Sequence, residues 1–345
     1  MNFLPKWVHG YCLVLLIVGI LFPGVIQAGT LKVCATVPEL GGLAKAIGGD
    51  LVKLTVFAKG TEDPHYLEAR PSFIKELSEA DMFVQVGLDL ETAWAPLLLR
   101  SSRNSRIQPG KPGFVDASQV IMPLDIPTGT VDRSMGDVHP QGNPHYLADP
   151  LNGLKVAALL RDRMSDLQPG DALDFAESYE QFRQRLGVAM VGVALATKYD
   201  FEKLVLLHQH GKLTEFLEQQ GDRALLAGWL GRLAPHYGSK IVTYHKSWPY
   251  FANRFGFLVA EHLEPKPGIP PGPGHLLQVI QTIKAEQIKV LLVEPWINQQ
   301  ATLAIAGKTG VNIVQAATSF SPSEGPYDYL AAIHDVVFKL ANAYD

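Results

Sequence analysis

The chain has 345 residues, with 30 Lys and Arg against 34 Asp and Glu, for a formal net charge of −4. That mild acidity argues against nucleic acid and anionic membrane surfaces as partners. Of its two cysteines, Cys12 lies in the leading apolar segment, so the rest of the chain, with Cys34 alone, can form no internal disulfide.

Residues 1–28 place Lys6 before YCLVLLIVGILFPGVI and end on Gln-Ala, the charged, apolar, small-residue order of a secretory signal peptide. Pro23 and Gly24 cut the apolar run below the roughly 20 residues a membrane span needs. Cys12 lacks the small apolar residues that precede a lipid-modified cysteine. The chain is therefore expected to be exported to the periplasm. About 317 residues remain, which favours two domains over one.

LKVCATV (31–37) has the pattern of a short buried strand, with Cys34 as a small hydrophobe inside it. A helix, LAKAIGGD, follows. LVKLTVFAK (51–59) is a second strand, followed by a helix SFIKELSEAD with Ser72 as its cap. MFVQVG (82–87) and FVDAS (114–118) are the third and fourth, separated by a helical LETAWAPLLLRSS. Asp149 and Pro150 mark the N-cap and first position of a helix, LNGLKVAALLRDRM. From Ala172 to Ala196 runs a helical stretch of about 25 residues, some 37 Å at 1.5 Å per residue. Beyond it LVLLH (204–208) gives a weak strand, and KIVTYH (240–245), KVLLVEP (289–295) and NIVQAA (312–317) give three more. EPKPGIPPGPG (264–274) is a stiff proline loop. Strands alternating with helices imply parallel sheets covered on both faces. The expected architecture is α/β, with two lobes, each a mostly parallel sheet flanked by helices, joined by one long rigid helix. The expected boundaries are 1–28 for the signal peptide, 29–168 for the first lobe, 169–198 for the linking helix and 199–345 for the second lobe.

In open parallel sheets, ligands bind beyond the carboxyl ends of the strands. Three histidines occupy such places. His65 lies in EDPHYLEARPS, His145 in GNPHYLADP, and His245 at the end of KIVTYH, where Ser247 is expected to cap the next helix. Two follow a proline directly. Their separations, 80 and 100 residues, match no local metal motif, so only tertiary folding could unite them. The pattern leaves two readings open: a shared site in the cleft between lobes, or three separate surface histidines. His139, six residues before His145, is a candidate for assisting capture. His208 and His210 are expected at the surface, and His236, His262, His275 and His334 have no supporting context.

The run DPHYLEARPSFIKELSEADMFVQVGLDLE, together with GNPHYLADP and YHKSWPYFANRFGF, resembles the zinc- and manganese-binding proteins of metal-uptake ABC transporters, the cluster A-I solute-binding family. The likeness extends over essentially the whole mature chain, in order. It implies two lobes joined by a rigid helix, one metal ion in the cleft, and delivery by a monomer to a membrane permease. His65, His145 and His245 fall on the family's three imidazole-type positions. Members commonly add an aspartate after the last core strand, but the matching place here, near Ala317, offers no ligand atom. Either water or another carboxylate fills it. Glu294, at the end of KVLLVEP, is the carboxylate candidate, and a solvent-facing loop acid is its alternative reading. Asp63 is expected to support the His65 loop, and Glu68 either to orient that loop or to pair with Arg70.

Imidazole and carboxylate suit tetrahedral Zn²⁺, whereas Mn²⁺ favours more oxygen ligands. The set therefore tilts towards Zn²⁺ as cargo, with Mn²⁺ as the alternative. Three histidines and an open position are also a catalytic layout, so an exported mononuclear zinc hydrolase is the rival, with Glu294 as general base. Against it, the sequence carries neither HExxH nor a G-x-S-x-G elbow.

Overall fold

In the computed structural model, residues 29–60, 62–129, 136–297, 299–317 and 327–345 are described, so the leading segment 1–28 lies outside the described residues. Four short strands, β1 (Leu31–Ala35), β2 (Val52–Val56), β3 (Met82–Gln85) and β4 (Phe114–Asp116), form a parallel sheet in the order β2-β1-β3-β4. Four more, β5 (Lys240–Thr243), β6 (Leu258–His262), β7 (Val290–Val293) and β8 (Asn312–Gln315), repeat that order as β6-β5-β7-β8, again parallel. This is the expected two-sheet α/β architecture. Parallel strands are buried on both faces. Accordingly Val33 and Ala35 of β1 face one apolar cluster, while Cys34 faces another with Phe83. Burial pushes the Cys34 thiol up to about 12, so it is a packed hydrophobe rather than a thiolate.

The winding direction reverses between β1 and β3, and again between β5 and β7. Ligand crevices form at such switch points. One continuous core joins the two lobes. It takes in Val33 and Leu40 from the first, Phe175, Phe182 and Met190 from the helix Ala172–Val191, and Ile241, Phe251 and Leu292 from the second. The C-terminal helix Tyr329–Asn342 also bridges them, since the Tyr329 hydroxyl donates to the Leu147 carbonyl at 2.7 Å. A shared core of this kind resists wide hinge motion.

Several local expectations are corrected. The connecting helix does not run to residue 196: it ends at Val191, and Gly192 turns the chain at φ +84° before a short helix Val193–Lys198. A Cβ at Gly192 would meet the Ala227 side chain at 2.7 Å, so the left-handed turn and the close approach both require glycine. LVLLH is not a strand but part of the helix Phe201–Gln209. Its buried residues, Phe201, Leu204, Val205 and His208, fall at helical spacing, and Asp200 caps it through Glu202 N. His208 is therefore buried, not at the surface. Neither Ser72 nor Ser247 caps a helix, because Pro71 and Pro249 occupy the first helical positions and set both starts. β6, which the sequence pattern did not reveal, forms the edge of the second sheet. Among the described residues, no helix is long and apolar enough to cross a membrane.

Candidate metal centre

Each histidine loop is built by short-range bonds. Asp63 accepts from His65 N at 3.0 Å, closing the turn Pro64–Tyr66, and Trp94 Nε1 donates to the Pro64 carbonyl at 3.0 Å. The Asn143 side chain accepts from His145 N at 2.9 Å, and Asp149 caps the helix Pro150–Leu167 through Leu151 N. Beyond β5, the Thr243 hydroxyl donates to the His245 carbonyl at 3.0 Å. Asx-type turns and a helix cap thus hold the backbones at His65 and His145, and a threonine hydroxyl holds that at His245.

The three rings meet. Their centroids form a nearly equilateral triangle, with 5.4 Å from His65 to His145, 5.7 Å from His65 to His245 and 5.4 Å from His145 to His245. One nitrogen from each lies within 4.8 Å of the other two. Two rings are oriented from behind by carboxylates. His65 Nδ1 is 2.7 Å from Asp63 Oδ1, and His245 Nδ1 is 2.6 Å from Glu264 Oε2. An Nδ1–H bonded to a carboxylate leaves Nε2 as the lone pair, the usual preparation of a ligating histidine. His145 Nε2 is shut off from solvent and has no hydrogen-bond partner among the described residues. Burial, then the neighbouring rings of His65, His245 and His139, hold its pKa well below the ordinary 6.5, so the ring is neutral.

Glu294 does not join this group. It is fully buried, its Oε1 accepts from Trp248 Nε1 at 2.9 Å, and its Oε2 has no partner among the described residues. Burial raises its pKa. The His245 charge works against that rise, as does Ser247, whose hydroxyl lies close without reaching hydrogen-bonding geometry. Glu294, the carboxylate expected to complete the ligand set, thus lies outside the three-histidine group, with one oxygen engaged by the Trp248 indole. Arg70 pairs with Glu62 at 2.9 Å rather than with Glu68. Asp63 does support its loop. Burial pushes its carboxyl up, but the bonds from His65 outweigh that and leave it below the usual 3.8.

Sequence reasoning missed Glu264, the partner of His245. It opens the proline loop after β6, and its Oε2 also accepts from Gly268 N at 2.9 Å. Its only signal was its place after a strand end, and that strand was itself unrecognised. His139 also lies here, its Nε2 3.3 Å from His65 Nε2. Burial and the charges of His65 and His245 lower its pKa to about 4, with the Leu88 carbonyl opposing. His262 gains a context too, with Nδ1 2.7 Å from the Thr243 hydroxyl. A cavity of about 220 Å³ opens beside the triangle, lined by His139, His145, His245 and His262 together with Asp125 and Lys246.

A family model described as "Zinc-uptake complex component A periplasmic" (ZnuA) matches residues 33–194 and 224–343. The manganese-binding lipoprotein MntA of Halalkalibacterium halodurans is 22% identical over 283 residues, covering 82% of this chain and 77% of the relative. The high-affinity zinc uptake system protein ZnuA of Yersinia pestis is 20% identical over 300 residues, covering 81% and 80%. A crystal structure of ZnuA superposes with a TM-score of 0.65 at 21% identity, over 92% of this chain and all of that one.

Proposed function

The chain belongs to the ZnuA family of periplasmic zinc-uptake components, and on that premise we propose that it captures a divalent transition metal, Zn²⁺ first, in the cleft between its lobes and delivers it to an ABC permease. His65, His145 and His245 are the proposed ligands. The proposal places the monomer in the periplasm after removal of residues 1–28, with lobes spanning 29–168 and 199–345 about the linking segment 169–198.

The observation that carries this reading is the triangle itself, drawn from both lobes, with His145 Nε2 buried and without a hydrogen-bond partner among the described residues. A buried polar atom without a partner costs about 1–3 kcal/mol, and coordination would remove that cost. Nitrogen donors favour Zn²⁺ over Mn²⁺. For the hydrolase alternative, a free general base is required. Asp63 and Glu264 are occupied in orienting histidines, and Glu294 lies outside the three-histidine group.

The test is a chelator-competition titration with Zn²⁺ run beside an ester-hydrolysis assay. One equivalent bound at sub-micromolar Kd without turnover is the expected result. Turnover that disappears in His65→Ala would overturn it.

The pH dependence has a definite sign. A ligating imidazole must be neutral. Burial acts to lower the His245 pKa, but the Glu264 bond and the charges of Glu294, Glu264 and Asp63 carry it above 6.5. As pH falls through that raised value, a proton occupies His245 and competes with the ion, so affinity should drop. His145, neutral well below 6.5, contributes nothing in this window. Glu264→Gln should move the onset to lower pH and, by loosening the ring, weaken zinc binding about 10–100-fold at pH 8. Parallel profiles for the two proteins, measured from pH 8 to 5, would remove Glu264 from this role.

A further inference from the structure

We propose that His139 is the fourth ligand, so that the captured ion is held by four imidazole nitrogens and no carboxylate. This rests on the three-histidine reading above and deepens it.

Two nitrogens each about 2.0–2.1 Å from one tetrahedral zinc lie about 3.3–3.4 Å apart. His139 Nε2 stands 3.3 Å from His65 Nε2, within hydrogen-bond reach and also the separation of two nitrogens held by one ion. Their ring centroids are 5.3 Å apart, close to the spacings within the triangle.

The backbone carries His139 to this place. Residues 136–139 form a strap across the mouth of the cleft. Asp137 N donates to the Pro267 carbonyl of the second lobe at 2.9 Å, while the Tyr66 hydroxyl of the first lobe donates to Asp137 Oδ1. Gly136, at φ +73°, lets the two chains touch, because a Cβ there would sit 2.1 Å from the Pro267 carbonyl oxygen. The strap is thus tied to both lobes, at the residue next to His65 and within the loop that Glu264 opens.

Among the described residues, no carboxylate joins the three-histidine group. Asp63 and Glu264 each bond a ligand ring from behind, and Glu294 stands outside the group. The first two still serve the ion, because their charges face the Nδ1–H of His65 and His245 and offset the 2+ that four neutral imidazoles leave uncompensated.

His139 also lies outside the mutual 4.8 Å group of the other three. Its ring must turn from His65 towards the ion, so it engages last and leaves first. Its contribution should therefore fall mainly on release.

The test is zinc K-edge X-ray absorption on the purified chain loaded with one equivalent of Zn²⁺, with release to a chelator followed by stopped flow. The expected result is four imidazoles in the parent and three in His139→Ala, with release at least about 10-fold faster in the variant. Three imidazoles and an oxygen in the parent would overturn the proposal whether or not the variant folds. Unchanged release from a folded variant would do the same. Either result would leave the three-histidine site standing, whereas a parent that binds no zinc would sink both readings.

Discussion

Alanine at His145 is expected to weaken zinc binding by more than about 100-fold while leaving the ion-free fold within about 1 kcal/mol of the parent. Even partners outside the ligand set cost about 10–100-fold when lost, so a ligand should cost more. The stability half follows from what surrounds the ring. His145 Nε2 has no partner among the described residues, and the ring borders the 220 Å³ cavity. Its removal forfeits some packing but also relieves an unpaired buried nitrogen, a cost of about 1–3 kcal/mol. The two effects oppose each other. The loop does not depend on the imidazole, because Asn143 and Asp149 hold it through backbone N–H groups. Thermal unfolding with and without zinc reads both halves at once. At free zinc 1,000 times the parent Kd, binding stabilises the parent by about 4.1 kcal/mol. A 100-fold weaker variant would keep only about 1.4 kcal/mol of that. A histidine placed for structure would behave oppositely, losing ion-free stability and keeping most of the zinc-induced shift.

The legibility of the site in the sequence followed the range of the interactions that make it. Pro64, Pro144, Asn143, Asp149 and Pro150 act within a few residues of the histidines they frame, so their roles could be read locally. The three-ring triangle depends on two sheets with the same strand order presenting their carboxyl ends to each other, and only the family resemblance reached that far. Glu264 was invisible because its partner lies 19 residues back and its own loop has no periodicity. Glu294 was noticed for its place at a strand end by the switch point, but its bond to the Trp248 indole left no sign in the sequence. His139 is six residues from His145, yet it meets His65, 74 residues away, because the strap crosses the cleft. For LVLLH, a five-residue window could not separate a buried strand from a helix, whereas the nine residues from Phe201 to Gln209 do.

Methionine at Arg254 is expected to be the most destabilising single change considered, and its effect should reach the site. Arg254 comes from the helix Pro249–Phe255, which begins four residues after His245. Its Nε and Nη2 each donate to Asp149 at 2.7 Å, a two-point pair between lobes with both side chains about nine-tenths buried. Removing one member of such a pair strands the other charge, at about 3–5 kcal/mol. With unfolding entropy of about 2.1 cal/mol/K per residue over some 300 residues, that corresponds to a fall of about 5–8 °C in Tm. Lysine should recover only part of it, because a point charge cannot reproduce the planar two-bond geometry. The same helix turn presents Tyr250, whose hydroxyl accepts from Leu124 N and donates to the Asn143 carbonyl, both at 2.8 Å, and Asn143 Nδ2 donates to the Lys246 carbonyl at 2.8 Å. The loop bearing His145 is thus fastened to the segment that follows His245, so two proposed ligands from different lobes move as one body. With those other ties intact, Arg254→Met should weaken zinc binding by only about 10-fold, far less than His145→Ala. A Tm within 2 °C of the parent would show that the pair does not hold the lobes. A full loss of zinc binding in a folded variant would show instead that it alone sets the spacing between His145 and His245.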